Sequence, residues 1–188
     1  MRKTLTAAIL ATALITLAAC GGGDDGDTTA GHNDADVTFA QQMIPHHQQA
    51  IEMAKAAETH AESQEVKDLA ADIEAAQGPE IKTMTGWLED WGEDVPDEGM
   101  PGMDHGDMPS DGMTGMMSQD DMNELGNATG AAFDRMFLTM MIEHHEGAIE
   151  MAKTEQADGE SADAKALAED IETAQTEEIQ TMQDLLKS

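Results

Sequence analysis

One short stretch occurs twice in the chain. The first copy reads Met43-Ile44-Pro45-His46-His47, and the second reads Met141-Ile142-Glu143-His144-His145. A further methionine, Met53 or Met151, follows each histidine pair after six residues. Imidazole nitrogen and thioether sulfur are ligands for soft and borderline metal ions. The repeated stretch therefore predicts a metal site.

The repetition extends well beyond these two motifs. When the second half is shifted back by 98 residues, the halves align without a gap, and about half of some fifty positions agree. This is an internal duplication of one structural unit. Matched pairs include Asp36 and Asp134, Phe39 and Phe137, Lys67 and Lys165, Leu69 and Leu167, Gln77 and Gln175, Glu80 and Glu178, and Met84 and Met182.

Apolar residues recur every three or four positions in both halves, which is typical of amphipathic helices. One helical hairpin cannot cover both of its apolar stripes, so two hairpins packed together predict an all-α, four-helix bundle. We expect Asp36 to cap the first helix and Ser118 to begin the helical part of the second half. Gly78-Pro79 predicts a kink or a brief interruption of the second helix.

The N-terminus is typical of a bacterial lipoprotein. Residues 1–19 combine Arg2 and Lys3 with an apolar run, which predicts a signal peptide. The single cysteine, Cys20, follows Leu-Ala-Ala as in a lipobox, so we expect it to be lipidated. Residues 20–33 then form a glycine- and aspartate-rich tether. The expected location is outside the cytoplasm, at a membrane surface.

Charge limits the possible partners. The chain has 39 acidic and 9 basic residues, a formal net charge of −30. This surface repels nucleic-acid phosphates and anionic lipid headgroups. Nucleic-acid binding is therefore not expected, and membrane association should depend on the acyl anchor. The protein that would exchange metal with this chain is not identified by its sequence.

A methionine-rich linker separates the two repeats. It is otherwise built mainly from Gly, Asp and Pro, where a methionine side chain gains little from packing and is open to oxidation. Closely spaced thioethers can bind a soft cation, although a merely flexible linker or an oxidant sink also fits this composition. The candidate ligands here are Met100, Met103, His105, Met108, Met113, Met116 and Met117.

In the helices, the residue types favour copper over iron. Carboxylate-bridged di-iron bundles place Glu three residues before a ligating His. Here Met43 and Met141 occupy that position, and thioethers suit Cu(I) and Ag(I) better than ferric ions. Methionines at helical spacing are also common core residues, and core packing is the favoured role for Met53, Met151, Met84 and Met182. The paired histidines His46, His47, His144 and His145 are the strongest candidates.

The two motifs, with Phe39 four residues before Met43 and Ala50 to Ala54 after the histidines, resemble the DUF305 family of exported bacterial proteins. The resemblance covers about residues 34–188. It implies a ferritin-like four-helix bundle and copper binding by Met and His, and the family includes a periplasmic copper-resistance protein. Glu143 departs from the first copy, which has Pro45 at that position.

The predicted organisation is a signal peptide, a tether and one bundle at 34–188. Within the bundle, repeat 1 spans 34–92, the methionine-rich crossover linker 93–117 and repeat 2 118–188. The predicted function is copper sequestration or delivery without catalysis, with Cu(I) preferred over Cu(II) or Ag(I). Two alternatives are a helical interaction module without metal and a redox-active di-metal enzyme. The enzyme would use inward carboxylates from Glu52, Glu150, Glu74 and Glu172.

Overall fold

The computed structural model describes residues 31–96 and 114–188. The predicted signal peptide, Cys20 and most of the methionine-rich linker lie outside these ranges. Within them the chain is helical and contains no strand, and no helix is long and apolar enough to cross a membrane. The helices are α1 Asp34–His60, α2 Gln64–Trp91, α3 Gln119–Asn127, α4 Ala131–Asp158 and α5 Ala162–Leu185.

The four long helices confirm the predicted four-helix bundle. Helix α1 packs along α2, and α4 packs along α5, so each repeat forms one hairpin. The hairpins meet mainly through α1 and α4, while α2 and α5 touch only slightly. The short helix α3 leads into α4 and contacts both α1 and α4.

Capping side chains begin α1, α2, α3 and α5, with one difference from the sequence prediction. Asn33, not Asp36, is the N-cap of α1, and its side chain accepts hydrogen bonds from the Ala35 and Asp36 N–H groups. Asp36 is the third helical residue, and its carboxylate accepts from the Asn33 N–H in a capping box. Ser118 caps α3 with a second capping box, as predicted.

The predicted interruption at Gly78-Pro79 is wrong, because α2 runs continuously from Gln64 to Trp91, and the predicted kink there stays a prediction. Proline removes one helical hydrogen bond and frees the carbonyl four residues earlier. Here both Pro79 and Ala75, which carries that carbonyl, lie on the exposed side of the helix. Water can therefore satisfy the freed group, and the helix continues.

The two hairpins are joined by reciprocal caps. The Asp134 carboxylate on α4 accepts hydrogen bonds from the N–H groups of Glu62 and Ser63, where α2 begins (3.0 and 2.9 Å). The equivalent Asp36 on α1 accepts from Glu160 and Ser161, where α5 begins (3.1 and 2.9 Å). Backbone N–H groups at the start of a helix have no partner within that helix. Here each repeat accepts hydrogen bonds from such groups of the other repeat, as expected for a pseudo-twofold arrangement.

The core consists of two apolar clusters separated by the histidine motifs. Along α1, Phe39 and Met43 belong to one cluster, whereas Ala50 and Met53 belong to the other. Along α4 the order is reversed, with Phe137 and Met141 in the second cluster and Ala148 and Ala152 in the first. The motifs consequently lie at the middle of the bundle.

One end of the bundle contains a buried acidic pair that the other end lacks. Glu155 is only 1% exposed and lies beside Asp36, which is fully buried. Burial and the neighbouring Asp36 carboxylate raise the pKa of Glu155 to about 8. Gly159 leaves space for the Glu155 carboxyl group, since a side chain at 159 would collide with it. In repeat 1 the equivalent positions are Ala57 and Ala61.

We expect this pair to make the protein less stable at alkaline pH. The folded-state pKa of Glu155 lies above its unfolded value of 4.5, so its contribution is complete below pH 4.5 and is lost as the pH rises through about 8. Between about pH 6 and pH 8.5, the free energy of unfolding should therefore fall by at most about 1.4 kcal/mol per pH unit on this account. Denaturant unfolding followed by circular dichroism measures the change.

The matched control is Glu155→Ala with Gly159→Ala, which transfers the repeat 1 residues to repeat 2. The backbone of Gly159 (φ −67°, ψ 158°) is close to that of Ala61 (φ −69°, ψ 145°), so its conformation accepts alanine. A Cβ at position 159 would lie 2.7 Å from the backbone carbonyl oxygen of residue 155, so this carbonyl must shift slightly in the double variant. The double variant should lose less stability than the unsubstituted protein over this pH range. Parallel pH curves for the two proteins would contradict the assignment.

Candidate metal centre

The four paired histidines meet at the centre of the bundle. His46 and His47 on α1 and His144 and His145 on α4 are all 0% exposed. The His46 and His144 rings, one from each repeat, lie 3.7 Å apart between centroids, with their planes tilted by 38°. The two sequence motifs therefore meet in one histidine cluster.

Most nitrogens of this cluster have no hydrogen-bond partner among the described residues. They are both ring nitrogens of His46 and of His144, and Nδ1 of His47 and of His145. A buried polar group left without a partner costs about 1–3 kcal/mol. The cluster thus offers unused lone pairs in a site closed to bulk water.

Burial keeps the two central rings neutral. Burial lowers the pKa of His46 to about 3, and the neighbouring His47 and His145 lower it further. A hydrogen bond with the Thr114 backbone has the smaller, opposite effect of raising this pKa. Burial also lowers the pKa of His144 well below its usual range, helped by the neighbouring imidazoles. A neutral imidazole has a free lone pair, which is the form that binds a metal ion.

The outer two histidines have carboxylate partners that sequence reasoning did not assign. His47 Nε2 lies 2.7 Å from Glu80 Oε2 on α2, and His145 Nε2 lies 2.7 Å from Glu178 Oε2 on α5. Glu80 and Glu178 matched in the alignment of the two halves, but only as a sign of duplication. Their match between the repeats, at positions on the inner side of α2 and α5, is the sequence feature that indicates a shared role.

The same inner side carries buried amides. Gln77 and Gln175, one turn before Glu80 and Glu178, are 2% and 3% exposed. Both amide atoms of Gln77 and Oε1 of Gln175 lack a partner among the described residues. Each of the four long helices therefore contributes buried polar side chains, and in the sequence Gln77 and Gln175 are marked only by their match between the repeats.

The helical methionines lie in the apolar clusters next to the histidines. Met43, Met53 and Met141 are fully buried, whereas Met151 is partly buried. Met43 belongs to the cluster on one side of the histidines and Met141 to the cluster on the other. This position fits both proposed roles, thioether ligation and core packing.

The carboxylates suggested for a di-metal enzyme do not face the interior. Glu52 and Glu150 are exposed. Glu74 and Glu172 form surface ion pairs with Lys55 and Lys153 on the neighbouring helix (3.9 and 3.5 Å). The prediction of inward orientation from helical position was wrong, because these residues lie at the edge of each hairpin contact.

Residues 114–117, the end of the linker, dock against α1 and α4 beside the histidine motifs. Gln49 Nε2 donates to the Met117 carbonyl (2.9 Å), and the Met117 N–H donates to Gln49 Oε1 (2.7 Å). On α4, Gly147 lets Thr114 and Gly115 approach closely, with Gly115 at φ +83°. Gln49 and Gly147 are equivalent positions of the two repeats, so the halves differ where the linker docks.

Only two of the predicted linker ligands fall within the described residues. The Met117 side chain is 8% exposed and packs in a core cluster, and Met116 is half-buried. Met100, Met103, His105, Met108 and Met113 lie outside the described ranges.

The donor set fits a soft metal ion. Neutral imidazoles and nearby thioethers are suitable ligands for Cu(I) and Ag(I), and imidazole also binds Cu(II). Among the described residues, no three His, Cys, Asp or Glu side chains are already gathered at metal-binding distances.

Comparison with known proteins gives a consistent result. The family model described as "Domain of unknown function (DUF305)" matches residues 36–186. A DUF305 protein from Streptomyces coelicolor, described as secreted, has a similar structure (TM-score 0.71, 35% identity, covering 81% of this chain and 91% of that one). No curated protein matches the chain.

The solved structures of CopM are also similar. Its Cu(II)-bound form gives a TM-score of 0.68 and 36% identity, covering 81% of this chain and 95% of CopM. Its Cu(I)-bound form gives a TM-score of 0.65 and 33% identity over the same shares. These relatives support the predicted helical fold and connect it with copper.

The docking of the linker end can be tested at Gly147. In Gly147→Ala the new methyl group would overlap the Thr114 carbonyl and approach Gly115 Cα to 2.8 Å, so the segment 114–117 must move. We expect a loss of about 1–3 kcal/mol in unfolding free energy. We also expect faster amide hydrogen exchange at Met117.

Gly86→Ala is the matched control, because it is also a helical glycine but has no atom within 4 Å of the added methyl group. It should stabilise the protein by up to about 1 kcal/mol through helix propensity. Equal stability and equal exchange at Met117 in the two variants would show that the linker end is not held at Gly147.

Proposed function

The chain belongs to the DUF305 family, and on that premise we propose that it binds copper through the buried histidine cluster. The observation that carries the proposal is the set of neutral, unpaired imidazoles from both repeats at one place in the core. The CopM structures with Cu(I), Cu(II) and Ag, at 33–36% identity, support copper as the ion.

The ligands we propose in the core are the four paired histidines with Met43 and Met141. Cu(I) is the preferred state, because thioethers and neutral imidazoles together suit a soft ion. Met53 and Met151 are further candidates on the same helices. The linker residues Met100, Met103, His105, Met108, Met113, Met116 and Met117 would capture the ion before it reaches the core.

We further propose that the protein is exported and anchored to a membrane through lipidated Cys20. The sequence of residues 1–20 supports this, and so does the similar Streptomyces protein that is described as secreted. Outside the cytoplasm, the role would be to hold copper or to hand it on, without catalysis. Such a role contributes to copper homeostasis or resistance.

Copper binding is tested by competition with a chromogenic Cu(I) chelator, in a Cys20→Ser background that removes the thiol. We expect tight Cu(I) binding and a higher melting temperature with the ion present. His46→Ala with His144→Ala should weaken binding more than tenfold, about 1.4 kcal/mol or more. Binding that is absent, or unaffected by these substitutions, would refute the core site.

Met43→Leu with Met141→Leu separates ligation from packing, because leucine conserves most of the side-chain volume. If the thioethers are ligands, this variant should bind Cu(I) more weakly and Cu(II) as before. Unchanged Cu(I) affinity would assign both methionines to the core alone.

The anchor is tested separately in a bacterial host with lipoprotein processing. The unsubstituted protein should fractionate with membranes and enter the detergent phase on phase separation. The Cys20→Ser variant should appear in the soluble fraction, because the acylated thiol is lost. Equal distribution of the two proteins would exclude lipid anchoring at Cys20.

A further inference from the structure

Two histidines of the cluster are each held by a carboxylate from the other helix of their own hairpin. Glu80 on α2 contacts His47, and Glu178 on α5 contacts His145, both at 2.7 Å. The histidine side chains are fully buried, and the glutamates are only 20% and 19% exposed. The two contacts occupy equivalent positions of the repeats, so the pseudo-twofold symmetry of the bundle includes them.

These contacts determine which ring nitrogen remains free. Where the carboxylate oxygen accepts the hydrogen bond, Nε2 of His47 and of His145 is the donor. In the neutral ring the lone pair is then on Nδ1. That atom is buried in both residues and has no partner among the described residues.

We propose that Glu80 and Glu178 are positioning residues that present His47 and His145 to the metal ion through Nδ1. Metal-binding histidines commonly donate their other N–H to a carboxylate, which fixes the ring and makes it a stronger base. This role rests on the proposed copper binding, and it adds the two carboxylates that hold the ligating histidines in place.

The arrangement divides the four histidines into two kinds. His47 and His145 are held in place by Glu80 and Glu178, whereas neither ring nitrogen of His46 or His144 is paired within the described residues. The two central rings therefore have no carboxylate that fixes one tautomer. The outer two provide fixed donors.

A purely structural ion pair is the competing explanation, and the chain contains its own control. Lys55–Glu74 and Lys153–Glu172 bridge the same pairs of helices, α1 with α2 and α4 with α5, but at the surface. Loss of these pairs removes a helix-to-helix contact without affecting a histidine. Surface pairs of this kind contribute about 0–1 kcal/mol.

The first experiment uses metal-free protein. Two-bond ¹H–¹⁵N correlation spectra of the imidazoles distinguish the two tautomers, and variants lacking each histidine assign the signals. We expect Nε2–H for His47 and His145 in the unsubstituted protein. In Glu80→Ala with Glu178→Ala, this preference should be lost. The Nδ1–H form in the unsubstituted protein would overturn the proposal.

The second experiment measures Cu(I) affinity in the Cys20→Ser background. Glu80→Ala with Glu178→Ala should weaken binding about 10- to 100-fold, the range known for such partners. The Gln pair at these positions should lose less, because an amide oxygen still accepts the N–H. The Glu74→Ala with Glu172→Ala control should bind as the unsubstituted protein does.

The outcomes separate this role from the proposed function. Tight binding that is equal in the unsubstituted protein and in Glu80→Ala with Glu178→Ala overturns the positioning role alone. A similar loss in the Glu74→Ala with Glu172→Ala control also overturns it, because the effect would then be structural. Absence of Cu(I) binding in the unsubstituted protein overturns the proposed function and this role with it.

Discussion

The burial of four imidazoles at the middle of an apolar bundle is the constraint on which the rest of the structure depends. The rings are excluded from water, and burial keeps His46 and His144 neutral. Only His47 and His145 have side-chain partners among the described residues. The remaining lone pairs represent a cost to folding, and a bound soft ion would offset that cost.

Because of the duplication, one hairpin arrangement used twice provides all four histidines and both glutamates of the centre. One hairpin places a histidine pair on its first helix and a glutamate on its second, and the other hairpin repeats the arrangement. The reciprocal caps from Asp36 and Asp134 then set the two hairpins against each other. The centre is therefore assembled by the same contacts that define the fold.

The departures from symmetry are as informative as the matches. Gln49 and Gly147 are equivalent residues, yet one binds the Met117 backbone and the other makes space for the linker end. Glu155 with Gly159 replaces the Ala57 and Ala61 of repeat 1. Such differences break the equivalence of the two halves, so residues 114–117 contact α1 and α4 through different side chains.

Sequence alone determined the four helices, the duplication and the histidine pairs, because helical periodicity and repeated motifs are local patterns. Local patterns did not predict three features: the capping of α1 by Asn33, the unbroken α2, and the surface position of Glu74 and Glu172. These features depend on neighbouring helices and on solvent. Only the tertiary structure brought His46 to His144 and paired His47 with Glu80. Those contacts join residues 98 and 33 positions apart, and their distances depend on how whole helix faces pack.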